Sequence, residues 1–175
     1  MRRISCLILL VFLLGINWNI RAQYNFNVVR TLGETNHQIV YASYSSDGNY
    51  IITTGSDSSI IIWNADRRTI FRTISGLQGR PNIAVFTPGN DFVLSGGRDN
   101  KVTKWDLGTM PASIVETFEG YSGPVKSIDI SPDGKYMATG SAGGTIKIWD
   151  LPGANLVFDL KGPDRNKDIN SVAFS

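Results

Sequence analysis

The chain has 175 residues, which is enough for one domain of ordinary size. Its 17 basic and 15 acidic residues give a formal charge of +2, a balance that does not indicate a nucleic-acid partner. The single cysteine, Cys6, excludes a disulfide within the chain.

Residues 1–22 have the layout of a secretory signal peptide. Two arginines, Arg2 and Arg3, precede an apolar run of 13 residues from Ile4 to Ile16. Ala22 then offers a small residue before a cut ahead of Gln23. An uncleaved membrane-spanning helix is the alternative, but it needs about 20 apolar residues. We therefore expect a cleaved leader, a secreted or periplasmic protein, and no membrane span after signal removal.

Removal of the leader changes the charge of the chain. Arg2, Arg3 and Arg21 leave with it, so 17 basic residues become 14 against 15 acidic ones. The mature chain also keeps no cysteine. Its stability must then come from a packed core alone.

The rest of the chain, residues 23–175, consists of short runs with alternating apolar residues, separated by turn residues, which predicts strands. A lone outer strand is predicted at 24–32, followed by three four-stranded units at 33–75, 76–118 and 119–160. The twelve predicted strands are 39–44, 50–54, 60–63, 69–74, 83–86, 92–94, 102–105, 113–115, 125–128, 136–138, 146–149 and 156–158. A fourth unit begins at 161–175, with a lone inner strand at 169–174.

The repeating unit ends each time in a tryptophan. Trp63, Trp105 and Trp149 lie 42 and 44 residues apart, each followed by Asn or Asp and each preceded by a turn and a glycine-containing second turn. A period of about 40–45 residues that ends in Trp-Asp is typical of propeller blades. Over residues 25–175 the chain resembles the WD40 family. The resemblance implies an all-β fold, a β-propeller of WD40 type that is incomplete here, with three full four-stranded blades, a lone outer strand and a lone inner strand.

The resemblance also implies a hydrogen-bonded set in each blade, made of a His, a Ser or Thr, the Trp and a turn Asp. The hydroxyl position is filled by Thr53, Ser95 and Thr139, and the turn position by Asp57, Asp99 and Gly143. The histidine position is filled by Thr35, Leu77, Tyr121 and Arg165. Since no blade has its histidine, we expect each indole N–H to find a hydroxyl or backbone partner, and the blades to be held mostly by apolar packing.

The residues give no pattern for catalysis, a metal or a cofactor. The only histidine, His37, lies in a loop-like stretch without cysteine, so no zinc site of the usual ligands is expected. The glycine pairs at 96–97 and 143–144 lie between strands, where glycine serves tight turns, and no phosphate loop follows them. The turn carboxylates are expected to bond backbone amides; they are Asp57, Asp99, Asp106 and Asp150.

Partner contacts in the WD40 family concentrate on one face, and the resemblance carries those positions onto this chain. They are Gln38, Val40, Ser56, Arg80, Asn82, Arg98, Pro124, Lys126, Ala142, Asp168 and Asn170. The candidate partner-binding surface is Arg80, Asn82, Arg98 and Lys126, whose three cations would share one face of two adjacent blades. Three solvated surface charges are the alternative interpretation. The functional one is a site for a carboxylate-rich or phosphorylated partner.

Three functions remain open from the residues alone. The first is an exported, non-catalytic protein-interaction scaffold that binds a protein or peptide and is a fragment of a longer chain. The second is the regulatory propeller of an enzyme whose catalytic domain lies beyond Ser175. The third is a truncated product without function. Fold alone does not decide among them.

Overall fold

A computed structural model describes residues 38–162 and 167–175. The predicted leader at 1–22 and the predicted lone strand at 24–32 lie outside the described residues. So do Thr35, His37 and Arg165. The described part is all-β and contains no helix. No helix there has the length and hydropathy of a membrane-crossing segment.

Twelve strands form three antiparallel four-stranded sheets, or blades. Blade one contains β1 (Ile39–Tyr44), β2 (Tyr50–Gly55), β3 (Ile60–Asn64) and β4 (Thr69–Ile74). Blade two contains β5 (Pro81–Phe86), β6 (Phe92–Gly97), β7 (Val102–Asp106) and β8 (Ser113–Phe118). Blade three contains β9 (Val125–Ile130), β10 (Tyr136–Ser141), β11 (Thr145–Asp150) and β12 (Asn155–Lys161). In each blade the strands pair in chain order, as the sequence predicts, and the three blades form an open, incomplete propeller.

The turn between the first two strands of a blade is fixed by a serine and an aspartate. In blade one, Ser45 donates to Asp47 at 2.6 Å, and Ser45 Oγ accepts the N–H of Tyr50 at 2.9 Å. Ser131 and Asp133 repeat this arrangement in blade three, with the Ser131–Asp133 bond at 2.7 Å. These side chains form hydrogen bonds with backbone groups that the turn leaves unpaired, and they thereby stabilise the hairpin.

The core lies between the blades. One apolar cluster joins blade one to blade two; its buried members are Ile52, Ile60, Ile62, Ile74, Ala84, Val93 and Trp105. A second cluster joins blade two to blade three; its buried members are Ile83, Leu94, Val102, Phe118, Tyr121, Val125, Ile128, Met137, Trp149 and Leu151. Full burial of one large apolar side chain stabilises a fold by about 1.5–3 kcal/mol. Contacts between blades therefore hold the arc together.

Two glycines let the first segment of the next repeat approach. A Cβ at Gly96 would lie 2.7 Å from Cγ1 of Val125, and a Cβ at Gly140 would lie 2.5 Å from Cγ2 of Ile169. Neither position has room for a side chain. The segment at 167–175 therefore packs on blade three through Ile169 as β9 packs on blade two through Val125.

The predicted inner strand at 169–174 differs from the structure, which forms no strand there. The N–H of Ile169 donates to the carbonyl of Ser141 at 3.1 Å, and the N–H of Phe174 donates to the Asp129 carboxylate at 2.7 Å. A strand needs a continuous ladder of bonds to a neighbouring strand. The segment lies against the inner side of blade three but has only isolated bonds to it.

Candidate partner-binding surface

The tryptophans of blades one and two each donate to a hydroxyl on the neighbouring strand. Nε1 of Trp63 donates to Oγ1 of Thr53 at 2.9 Å, and Nε1 of Trp105 donates to Oγ of Ser95 at 2.8 Å. Both bonds are buried. The expectation that a hydroxyl would replace the missing histidine is confirmed in these blades.

Blade three has a longer chain of hydrogen bonds. Nε1 of Trp149 donates to the hydroxyl of Tyr121 at 2.8 Å, and that hydroxyl bonds Oγ1 of Thr139 at 2.9 Å. Tyr121 lies at the histidine position and is buried, and this burial raises the pKa of its hydroxyl to about 12. The expectation of a hydroxyl partner is thus confirmed in blade three too, but the identity of that partner and its further bond to Thr139 were not predicted. The signal was present, because a tyrosine at that position has both the ring and the hydroxyl to substitute for histidine.

The turn aspartates bond backbone amides, as expected. Oδ1 of Asp57 accepts the N–H of Ser59 at 3.2 Å and its hydroxyl at 2.7 Å. Asp106 and Asp150 accept N–H groups in their own turns, at 2.7 and 3.0 Å. Asp99 is half-buried, and this burial raises its pKa although the backbone of Lys101 bonds it. Within the described ranges, no three His, Cys, Asp or Glu residues are grouped so as to hold a metal ion.

One backbone hydrogen bond recurs at the same end of every blade. The N–H of Ser56 donates to the carbonyl of Gln38 at 2.9 Å, and that of Arg98 to Arg80 at 3.0 Å. The N–H of Ala142 donates to Pro124 at 2.9 Å. All six residues are at the positions that, by resemblance to the WD40 family, contact partners. The same backbone hydrogen bond joins them in each blade, so these positions are structurally equivalent from one blade to the next.

The first strands of blades two and three border an open depression of ≈ 580 Å³ at this end of the blades. We call it the top depression; its lining residues are Asn82, Arg98, Pro124, Lys126 and Asn170. Nδ2 of Asn82 donates across it to the carbonyl of Val125 at 2.8 Å, which ties blade two to blade three. The structure thus brings three of the four candidate residues together.

The three candidate cations differ in their surroundings. Lys126 forms an ion pair with Asp168 at 2.6 Å, and Lys126 is the main cause of a lowered pKa at Asp168. Arg80 does not line the depression, and its Nε is buried without a hydrogen-bond partner. Arg98 is exposed and has no ion pair with any residue in 38–162 or 167–175. Arg98 is therefore the cation most available to a partner.

A family model places the chain among known proteins. The model described as "WD domain, G-beta repeat" matches residues 26–64, 72–106 and 112–150. These stretches cover more than half of the chain and contain Trp63, Trp105 and Trp149. The chain therefore belongs to the WD40 family.

Several curated proteins are similar to it. The target of rapamycin complex subunit wat1 of Schizosaccharomyces pombe is 31% identical over 115 residues, covering 65% of this chain and 36% of that protein. The target of rapamycin complex subunit LST8 of Saccharomyces cerevisiae is 30% identical over 122 residues, covering 70% and 39%. The chain thus spans between a third and two fifths of these relatives.

Solved structures show the same fold. A crystal structure of RRP9 WD40 repeats superposes with a TM-score of 0.73 at 18% identity and covers 82% of this chain. The match covers 44% of the RRP9 chain. At this identity the likeness shows the fold alone, and it is the fold of a WD40 propeller.

Proposed function

We propose that the chain acts as a non-catalytic protein-interaction scaffold, which binds a protein or peptide partner at the top depression. The observation that carries the proposal is Arg98, an exposed guanidinium at the rim of a depression between two rigidly packed blades. Rigid elements that present a fixed surface lose little conformational freedom on binding. The names of two relatives, both called complex subunits, support a scaffold role.

The charges of the depression favour an acidic partner. Arg98 offers five donors in a planar fork that matches a carboxylate or a phosphate. Lys126 lies across the depression and already holds the carboxylate of Asp168 at 2.6 Å. That ion pair shows the contact that a partner carboxylate would make. A partner would exchange with Asp168 at Lys126 and gain a new ion pair at Arg98.

The main experiment titrates the full chain with a labelled hexaglutamate peptide in low salt. Replacing Arg80, Arg98 and Lys126 by Ala is expected to weaken binding about tenfold, and added salt is expected to reduce the difference. The matched control removes three cations at the opposite end: Arg67→Ala, Arg68→Asn and Lys135→Ala. Asparagine is chosen at residue 68 because Arg68 has φ 59, which asparagine tolerates.

Equal weakening by both triple variants would show attraction by net charge alone and would overturn the site. Far-ultraviolet circular dichroism checks that each triple variant keeps the fold, because Arg80 is partly buried. Binding that ignores the first triple variant would also end the proposal.

Export from the cytoplasm is the second part of the proposal. It is supported by the basic and apolar residues of 1–22, which have the composition of a cleaved leader. Expression of the full chain in a secreting host is expected to release protein that begins at Gln23. Mass spectrometry of the released protein tests this, and a mass that includes Met1 and the apolar run would contradict it.

A further inference from the structure

A second groove lies at the other end of the blades, between blade one and blade two. It has a volume of ≈ 200 Å³, and we call it the blade-one groove. Its main lining residues are Tyr50, Phe71, Phe86, Asn90, Asp91 and Leu107. Asn90 and Asp91 lie in the turn between β5 and β6, whereas Arg98 follows the far end of β6. The groove and the top depression are therefore separate sites.

Three aromatic rings form much of the wall of the groove. The centroid of the Tyr50 ring lies 4.8 Å from that of Phe71 and 6.4 Å from that of Phe86. The ring planes are tilted by 47° and 41°. Half of the Phe71 side chain is exposed, although its ring is in contact with Tyr50. Aromatic faces carry negative potential, so a cation is attracted when it lies within about 6 Å of a ring centroid.

Carboxylates add negative charge around these rings. Asp91 lines the groove and has no ion pair with any residue in the described ranges. Asn90, beside it, has an Oδ1 that is buried without a hydrogen-bond partner. Asp47 bonds the Asn90 side chain, and the Ser45 hydroxyl is the main cause that keeps the pKa of Asp47 low, so its carboxylate is ionised.

The equivalent groove between blades two and three already contains a cation close to an aromatic ring. There Phe92 stands at the position of Tyr50, and Lys104 stands at the position of Ile62, since both pairs occupy matching places in the strand register. Nζ of Lys104 lies 4.3 Å from the centroid of the Phe92 ring. Asp91 and Asp133 border that groove as well. In the second groove the chain thus places its own ammonium group over the aromatic ring.

None of the described residues that line the blade-one groove is a cation. Ile62 replaces the lysine and is fully buried below the aromatic rings, so it offers only an apolar floor. Arg72 lies 5.7 Å from the Phe71 centroid, but its Nη1 is held by the carbonyl of Thr109 at 2.6 Å. Arg72 borders the adjoining groove and not this one. Arg72 therefore already contacts part of the Phe71 ring, whereas the Tyr50 ring, the rest of the half-exposed Phe71 ring and Asp91 remain available to a cation from outside.

We propose that the blade-one groove binds a lysine side chain from a basic segment of a partner protein. The aliphatic stem would lie against the partly exposed side chain of Leu107, as lysine stems do on apolar surfaces. The ammonium group would reach the ring faces of Tyr50 and Phe71 and the carboxylate of Asp91. This site is independent of the top depression, because its ligand has the opposite charge and enters at the opposite end.

The test uses the full chain and two synthetic peptides, acetyl-Gly-Gly-Lys-Gly-Gly-amide and its norleucine counterpart. The two differ by the charge at the end of one side chain. Nuclear magnetic resonance of ring-labelled phenylalanine and tyrosine follows each titration. The lysine peptide is expected to give saturable shifts at Tyr50, Phe71 and Phe86, with an affinity at least about fivefold above that of the norleucine peptide.

Two variants assign the effect to this groove. Asp91→Asn removes the charge and keeps the shape, and Phe71→Leu removes an aromatic face and keeps an apolar side chain. Each is expected to weaken the lysine peptide by about three- to tenfold. Phe92→Leu, in the groove that Lys104 already occupies, is the matched control and is expected to leave the affinity unchanged.

Three results would overturn the proposal. Equal affinity for the norleucine peptide would show a groove for apolar side chains. Unchanged binding in both Asp91→Asn and Phe71→Leu would place the peptide elsewhere. Loss of binding in Phe92→Leu to the same extent would show an effect of general aromatic packing instead of this site.

Discussion

Blade one and blade three have the same four strands but different hydrogen bonds around the tryptophan. In blade one, Trp63 donates directly to Thr53, one strand away. In blade three, Trp149 donates to Tyr121, which lies outside the four strands of the blade and bonds Thr139 in turn. The indole N–H is satisfied in both blades, although the family's histidine position holds Thr35 in one and Tyr121 in the other.

The comparison separates what the fold requires from what it permits. A buried indole N–H requires an acceptor, because an unsatisfied donor costs about 1–3 kcal/mol. The structure permits that acceptor to be a threonine on the next strand or a tyrosine from the preceding loop. The second solution also ties the loop before β9 to blade three, since Tyr121 packs at 6.2 Å from the Trp149 ring.

The largest expected effect is that of Tyr121→Phe in blade three. The change removes the acceptor of Trp149 and a partner of Thr139 while it keeps the ring. We expect a loss of about 2–3 kcal/mol in the free energy of unfolding. Denaturant unfolding of the full chain measures it. Tyr136→Phe, at an exposed tyrosine of the same blade, is the control and should change stability by less than about 0.5 kcal/mol.

Ser95→Ala makes the matching change in blade two. It leaves the indole N–H of Trp105 buried without its acceptor, and we expect a loss of about 2 kcal/mol. The effect should be smaller than that of Tyr121→Phe, because only one hydrogen bond is removed. If the two losses are equal, the Tyr121–Thr139 bond adds nothing, and blade three is stabilised in the same way as blade two.

Of the hydrogen bonds around the three tryptophans, only those of blade three are expected to weaken at alkaline pH. Burial raises the pKa of the Tyr121 hydroxyl to about 12, from the usual value for tyrosine of about 10. The unfolded chain therefore releases the proton first, so stability is fully present below about pH 10 and is lost as pH rises toward 12. We expect about 2 kcal/mol less stability at about pH 11.5 than at about pH 9. Tyr121→Phe should abolish that part of the difference, and a variant with the full pH dependence would contradict the assignment.

The repeat positions were predictable because they depend on local chemistry. Short alternating runs, serine–aspartate turns and the Trp63–Trp105–Trp149 period each act within one blade, and the strands lie where these patterns place them. The segment at 169–174 was misjudged for a nonlocal reason. Its alternating residues fit a strand, but a strand also needs a neighbour to pair with.

The candidate site was less predictable because the ion pairs and burial of its cations depend on residues distant in the sequence. The sequence grouped Arg80, Arg98 and Lys126 as three equal cations. In the structure, Asp168, 42 residues after Lys126, holds one of them in an ion pair, and Arg80 is partly buried. The blade-one groove was not predicted at all, since its walls come from β2 and β4 of blade one and from β5 and two loops of blade two.

Trp105→Phe is expected to have the smallest effect and to test how much of the tryptophan's contribution is apolar burial. Trp105 is 6% exposed and packs in the cluster between blades one and two. Phenylalanine keeps much of that apolar area and leaves only the small Ser95 hydroxyl without its donor. We therefore expect a loss of about 1–2 kcal/mol, no larger than that of Ser95→Ala. A loss above about 4 kcal/mol in denaturant unfolding would mean that Trp105 takes part in a wider polar network. Blade two would then resemble blade three more than blade one.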